Sequence, residues 1–143
     1  MPAAGDATAF ANPLFRGADP HAAVFGSKVW IYPTSAGGYR HDRFYAYCSS
    51  DLKHWTRHGP VLEFDDVRWI KDDGQPVHYA WAPAVVARDG RFFFYFSVGP
   101  QGETPALIGV AVGDNPVGPF KDCGRPLLTG GDGFEAIDPM VFA

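Results

Sequence analysis

A short apolar strand headed by an X–Pro step, then a glycine turn and an aromatic return strand, occurs twice in this chain. Its head occurs a third time. The first copy is DPHAAVFGSKVWIYPTS from Asp19, the second is APAVVARDGRFFFYFSV from Ala82, and the third is DPMVFA from Asp138. The three starts lie 63 and 56 residues apart. Each turn (Phe25-Gly26-Ser27-Lys28 and Arg88-Asp89-Gly90-Arg91) places glycine where a tight hairpin needs positive φ. Matching third strands follow at Arg43–Cys48 and Ala106–Val112, then polar turns at Ser50–Lys53 and Gly113–Pro116. Trp55…Gly59-Pro60-Val61-Leu62 and Gly118-Pro119-Phe120…Pro126-Leu127-Leu128 supply the material of a fourth strand in each unit.

Four antiparallel strands per repeat at this pitch predict an all-β chain built as a β-propeller, with about two blades and the first strand of a third. A propeller closes with about four to eight blades, so this count describes an incomplete ring. A β-sandwich shows the same turn spacing and is the alternative. The expected boundaries are an N-terminal extension over 1–11 and a propeller portion over 12–143. Within it, blade one covers about 12–78, blade two about 79–135, and the start of blade three 136–143.

Composition agrees with strands and turns. The chain is 15% aromatic and carries 17 Gly and 13 Pro, which suits short strands and tight turns better than long helices. A charged fraction of 20% beside 46% hydrophobic residues excludes a disordered chain. Net charge is −4 without a basic run, which argues against a nucleic-acid partner and against binding to anionic membranes. No apolar stretch reaches the length of a membrane span. MPAAGDATAFANP lacks the basic and apolar regions of a signal peptide. Cys48 and Cys123 form neither a CxxC nor a metal-ligand spacing and are expected to be buried free thiols. The compartment stays open, with the missing signal and unpaired cysteines leaning cytoplasmic.

In a propeller the first strand of each blade lines the central channel, so the heads at Asp19, Trp81-Ala82 and Asp138 are expected to be neighbours. Two carboxylates facing one pocket suit glycoside hydrolysis, in which one activates water and another tunes or donates a proton. The plainer reading is that Asp-Pro only starts a turn. Recurrence at equivalent repeat positions favours the functional one.

From Asn12 onward the sequence resembles glycoside hydrolase family 43, the five-bladed propeller arabinanases, arabinofuranosidases and xylosidases. The resemblance rests on six motifs in order: Asp19-Pro20; Ser49-Ser50-Asp51-Leu52-Lys53-His54-Trp55; His58-Gly59-Pro60-Val61-Leu62; Trp81-Ala82-Pro83; Ile108-Gly109-Val110-Ala111…Pro116-Val117-Gly118-Pro119-Phe120; and Ile137-Asp138-Pro139. It implies an inverting glycosidase acting on arabinose- or xylose-containing polysaccharides or oligosaccharides. Asp19 would be the general base, and Asp138 the carboxylate that orients the general acid and tunes its pKa. Trp81 would stand against the sugar face, with core packing of a large aromatic as the alternative. His21 and Tyr39 are further substrate-binding candidates. No cofactor is required; a central calcium belongs to the intact family, but its ligands are not in this chain, and no metal ligands are assigned here.

The departure from the family lies in its general acid, a Glu from a later blade. The three glutamates here, Glu63, Glu103 and Glu135, do not occupy that position, so this chain is expected to be inactive alone. Two other classes remain open: a non-catalytic carbohydrate-binding module, and a half-propeller that self-associates through its open edges. The loops Phe64–Trp69 and Pro100–Thr104 are expected to decide between arabinosyl and xylosyl substrates.

Overall fold

The computed structural model describes residues 13–35, 41–99 and 105–142. Two antiparallel sheets follow one another along the chain. The first has the order β1-β2-β3-β4, with β1 at Ala18–Phe25, β2 at Lys28–Thr34, β3 at Arg43–Ser49 and β4 at Thr56–Glu63. The second begins β5-β6-β7, with β5 at Tyr79–Arg88, β6 at Arg91–Gly99 and β7 at Leu107–Gly113. Its outer strand is split. β8 (Lys121–Asp122) pairs with Ala111–Val112, and β9 (Leu128–Thr129) pairs with Leu107–Ile108. β1 packs against β5, so the first strands of the two sheets are neighbours, as in adjacent propeller blades. The fold is that of a partial β-propeller.

The repeat read from sequence is a structural repeat. In β1 the register steps from Ala18↔Thr34 to His21↔Tyr32, and in β5 from Trp81↔Ser97 to Ala84↔Tyr95. Each is a bulge, with one extra residue on the inner strand, at positions offset by 63 along the chain. Proline, which has no N–H to give to a ladder, is tolerated at such a place. In the second hairpin Asp89 and Gly90 have φ of 50° and 74°, the pair of positive values that a type I′ turn needs.

Aromatic side chains from both sheets fill the space between them. Tyr32, Phe44, Phe94 and Phe96 are completely buried. Phe94 lies 5.1 Å from Phe44 and 4.9 Å from Phe120, ring centre to ring centre. Edge and tilted contacts of this kind add about 0.5–1.5 kcal/mol per pair beyond the area they bury. Polar groups tie the same surfaces together. Tyr32 donates its hydroxyl to Pro116 O at 2.8 Å, Trp69 Nε1 donates to Asp122 Oδ1 at 3.0 Å, and Phe120 N donates to Val61 O at 2.8 Å.

Residues 64–71, which include the Phe64–Trp69 loop expected to affect substrate choice, form two short 3-10 turns, Phe64–Asp66 and Arg68–Lys71, that bury Phe64, Val67, Trp69 and Ile70. The stretch is polar on average, but four apolar side chains spaced along it plug the core. Pro100–Thr104 lies outside the described residues. Cys48 is buried as expected, whereas Cys123 is exposed because it sits in the excursion between β8 and β9. Residues 136–142 form no strand among the described residues, although Asp138 takes the backbone conformation of the other two heads.

The Ser49–Trp55 turn is closed by its own acidic residue. Asp51 accepts from the Lys53 and His54 backbone N–H groups, each at 2.9 Å, and from His54 Nδ1 at 2.7 Å. Hydrogen bonds from the His54 backbone and ring, then Lys53, hold its carboxyl well below the usual carboxylate range. The motif is therefore a self-capped turn.

Gly109 shows how tightly the second blade is packed. A Cβ there would fall 2.4 Å from Phe96 Cζ and 2.8 Å from Trp69 Cζ2. Gly109→Ala is expected to destabilise the fold by about 1–3 kcal/mol through overpacking. Urea unfolding checks this, and an unchanged midpoint would contradict the packing described.

Candidate active site

Three non-glycine residues that precede proline hold positive φ: Asp19 at 44°, Ala82 at 34° and Asp138 at 56°. Each non-glycine residue in this region costs roughly 1–3 kcal/mol, so such conformations persist only where the surroundings impose them. Here the bulge changes the direction of the head residue relative to the strand. The Asp19 and Asp138 residues are both exposed.

Two buried hydroxyls hold these heads in place. Thr34, at the end of β2, donates from Oγ1 to Asp19 Oδ2 at 2.9 Å. The same oxygen accepts the Ala82 N–H at 2.7 Å, so one side chain joins the head of blade one to the head of blade two. Ser97 occupies the matching place on β6 and accepts the Asp138 N–H at 2.9 Å. Ser97 is also the register partner of Trp81. The heads are thus connected in series through Thr34 and Ser97. Asp19 Oδ1 has no hydrogen-bond partner among the described residues.

Trp81 is half-buried beside this chain of contacts. Its ring lies across Gly99, where a Cβ would come within 2.5 Å of it. Tyr79 stacks beside it with ring centres 5.9 Å apart and planes 10° apart. Both belong to the same face of β5, since strand residues two apart point the same way. His41 meets Tyr79 edge-on at 5.6 Å and contacts Ser35 O through Nδ1 at 3.0 Å.

His21 uses Nε2 on Val85 O of the next blade, at 2.9 Å. A carbonyl can only accept, so Nε2 carries the proton. Burial pushes the His21 pKa below its ordinary 6.5, against a smaller upward pull from that carbonyl. Tyr39 lies outside the described residues. Among the glutamates, Glu135 Oε2 accepts the Ala106 N–H at 2.5 Å and Glu63 pairs with Arg43, while Glu103 lies outside the described residues. Among the described residues no group of three or more His, Cys, Asp or Glu is arranged to hold a metal ion.

The sequence model of glycosyl hydrolases family 43 matches residues 10–143. The chain belongs to this family. Its sequence is 36% identical over 145 residues to a β-D-galactofuranosidase of Aspergillus niger, covering 92% of this chain and 41% of that protein. It is 32% identical over 139 residues to a xylosidase/arabinosidase of Humicola insolens, covering 87% of this chain and 39% of that protein. Among solved structures it superposes on a family 43 β-xylosidase/α-arabinofuranosidase from a compost microbial metagenome, in complex with xylotriose. That match has a TM-score of 0.61 at 32% identity and covers 77% of this chain and 35% of the other. This family 43 chain therefore spans about two fifths of the length of these two relatives.

Thr34, Ser97 and Gly99 were not singled out from the sequence. The signal was nonetheless present, because Thr34 and Ser97 fall at the same offset from their repeat heads.

Because the folded pKa of His21 lies below its unfolded value, the native state binds fewer protons near neutrality. The resulting stability is full above about pH 6.5 and is lost as pH falls toward the folded pKa. Thermal midpoints measured from about pH 7.5 down to about pH 5 should fall more steeply in the parent than in His21→Gln. Equal slopes would remove His21 from this role.

Proposed function

We propose that this family 43 chain carries the water-activating half of an inverting glycosidase that hydrolyses arabinose- or xylose-containing polysaccharides or oligosaccharides. The observation that carries the reading is the Asp19 carboxylate. It sits at a strained inner-strand head with one oxygen anchored by Thr34 and the other open to accept a proton. Asp19 acts as general base on the attacking water. Asp138, at the equivalent head, orients the general acid, and its negative charge disfavours ionisation of that neighbour. Trp81 offers an apolar ring to the C–H face of the sugar, steadied by Gly99 beneath and Tyr79 beside. His21 acts between the blades through Val85.

The general acid comes from outside these residues. Glu63 and Glu135 are each committed to partners within the fold, to Arg43 and to the Ala106 N–H. The sugar preference rests on the relatives, since one is named for xylose and arabinose and one solved neighbour holds xylotriose. The Aspergillus niger relative is named for galactofuranose, which makes a galactofuranoside the informative competitor.

The test compares aryl arabinofuranoside, xyloside and galactofuranoside substrates on the full-length protein, with the first-formed anomer read by NMR. The expected result is an inverted pentose product, and a fall of roughly a hundred- to ten-thousandfold in kcat for Asp19→Asn. A retained anomer would overturn the mechanism, and preference for the galactofuranoside would overturn the pentose assignment. The 143-residue chain alone is expected to give no turnover. Turnover that disappears on Glu135→Gln would identify Glu135 as the acid.

A further inference from the structure

The contacts around Thr34 carry more than a hairpin needs. Its hydroxyl has one proton and two lone pairs. The Ala82 N–H can only donate, so it occupies a lone pair at 2.7 Å and the proton is directed to Asp19 Oδ2 at 2.9 Å. Only 7% of Thr34 is exposed, so bulk water does not readily replace either contact. Ser97 has no exposed surface and makes the equivalent backbone contact one blade later, to the Asp138 N–H. Two blades thus use the same device, a buried hydroxyl that accepts the N–H of the next left-handed head. In the first blade alone it also grips a carboxylate.

We infer that Thr34 is a positioning residue for Asp19, fixing the rotation of its carboxylate and linking that rotation to the docking of blade two. This rests on the reading of Asp19 as general base. The Ala82 N–H determines which way the hydroxyl points, and the hydroxyl determines which Asp19 oxygen is anchored. Oδ1 is then the oxygen that faces water. Without the hydroxyl, the carboxylate turns freely about its last bond and the reactive geometry is populated only part of the time. Such a loss lowers the chemical step and leaves sugar binding in place.

The experiment measures kcat and KM for Thr34→Val, Thr34→Ser and Asp19→Asn in the full-length protein. Amide exchange at Ala82 supplies a readout independent of activity. Thr34→Val is expected to lower kcat by about a hundredfold with KM near the parent value and to quicken exchange at Ala82. Thr34→Ser keeps the hydroxyl and should stay within about threefold of the parent. Should Thr34→Val not fold, Thr34→Ala, which leaves space for a water on the Ala82 N–H, carries the same expectation. Parental kcat in the Val or Ala variant while Asp19→Asn is inactive would overturn the positioning role and leave the base intact. A Ser variant as impaired as Val would also overturn it, since the hydroxyl is then not what matters. Full activity in Asp19→Asn would instead sink the general-base reading beneath it.

Discussion

The layout of this chain depends on an X–Pro step held at positive φ at the head of each repeat. The conformation is costly for Asp19, Ala82 and Asp138, and nothing local makes it favourable. Tertiary structure imposes it. The bulge removes a ladder position that proline could not fill, and at Ala82 and Asp138 the head N–H finds a buried hydroxyl. A side chain placed at such a head is presented differently from its neighbours along the strand. Two of the three heads carry carboxylates and the middle one carries alanine.

The same contacts tie the heads to the packing of the blades. Thr34 belongs to blade one by sequence and to blade two by its bond to Ala82. His21 reaches Val85, and Tyr32 reaches Pro116, across the same boundary. Blade packing and the geometry of the heads are therefore not separate problems. Damage to the aromatic layer of Tyr32, Phe44, Phe94 and Phe96 would move the heads by loosening the blades that hold them. Trp81 follows the same logic, since Gly99 of β6 provides the floor on which its ring rests.

Much of this was legible in the residues. Glycine turns, alternation and the X–Pro heads are local signals, and they located the inner three strands of each blade closely. What escaped had distant causes. The polar-looking run at 64–71 folds inward because Trp69 and Ile70 find a core made by strands far along the chain. The second outer strand is split around Cys123, which expectation had buried. The partner of His21 lies 64 residues away and that of Thr34 lies 48 away, separations that no local pattern encodes. Asp138 shares the positive φ of the other two heads, while the residues after it form no ladder among the described residues.

The central claim is that these heads surround one sugar, with Asp19 facing the water that attacks it. A crystal structure of the full-length Asp19→Asn protein with a bound pentose oligosaccharide tests it most directly. The account predicts a sugar ring against Trp81, its reacting carbon facing residue 19 across a single water, with Asp138 in the same pocket. A sugar bound away from residues 19, 81 and 138, or a residue 19 side chain turned from the sugar, would contradict it.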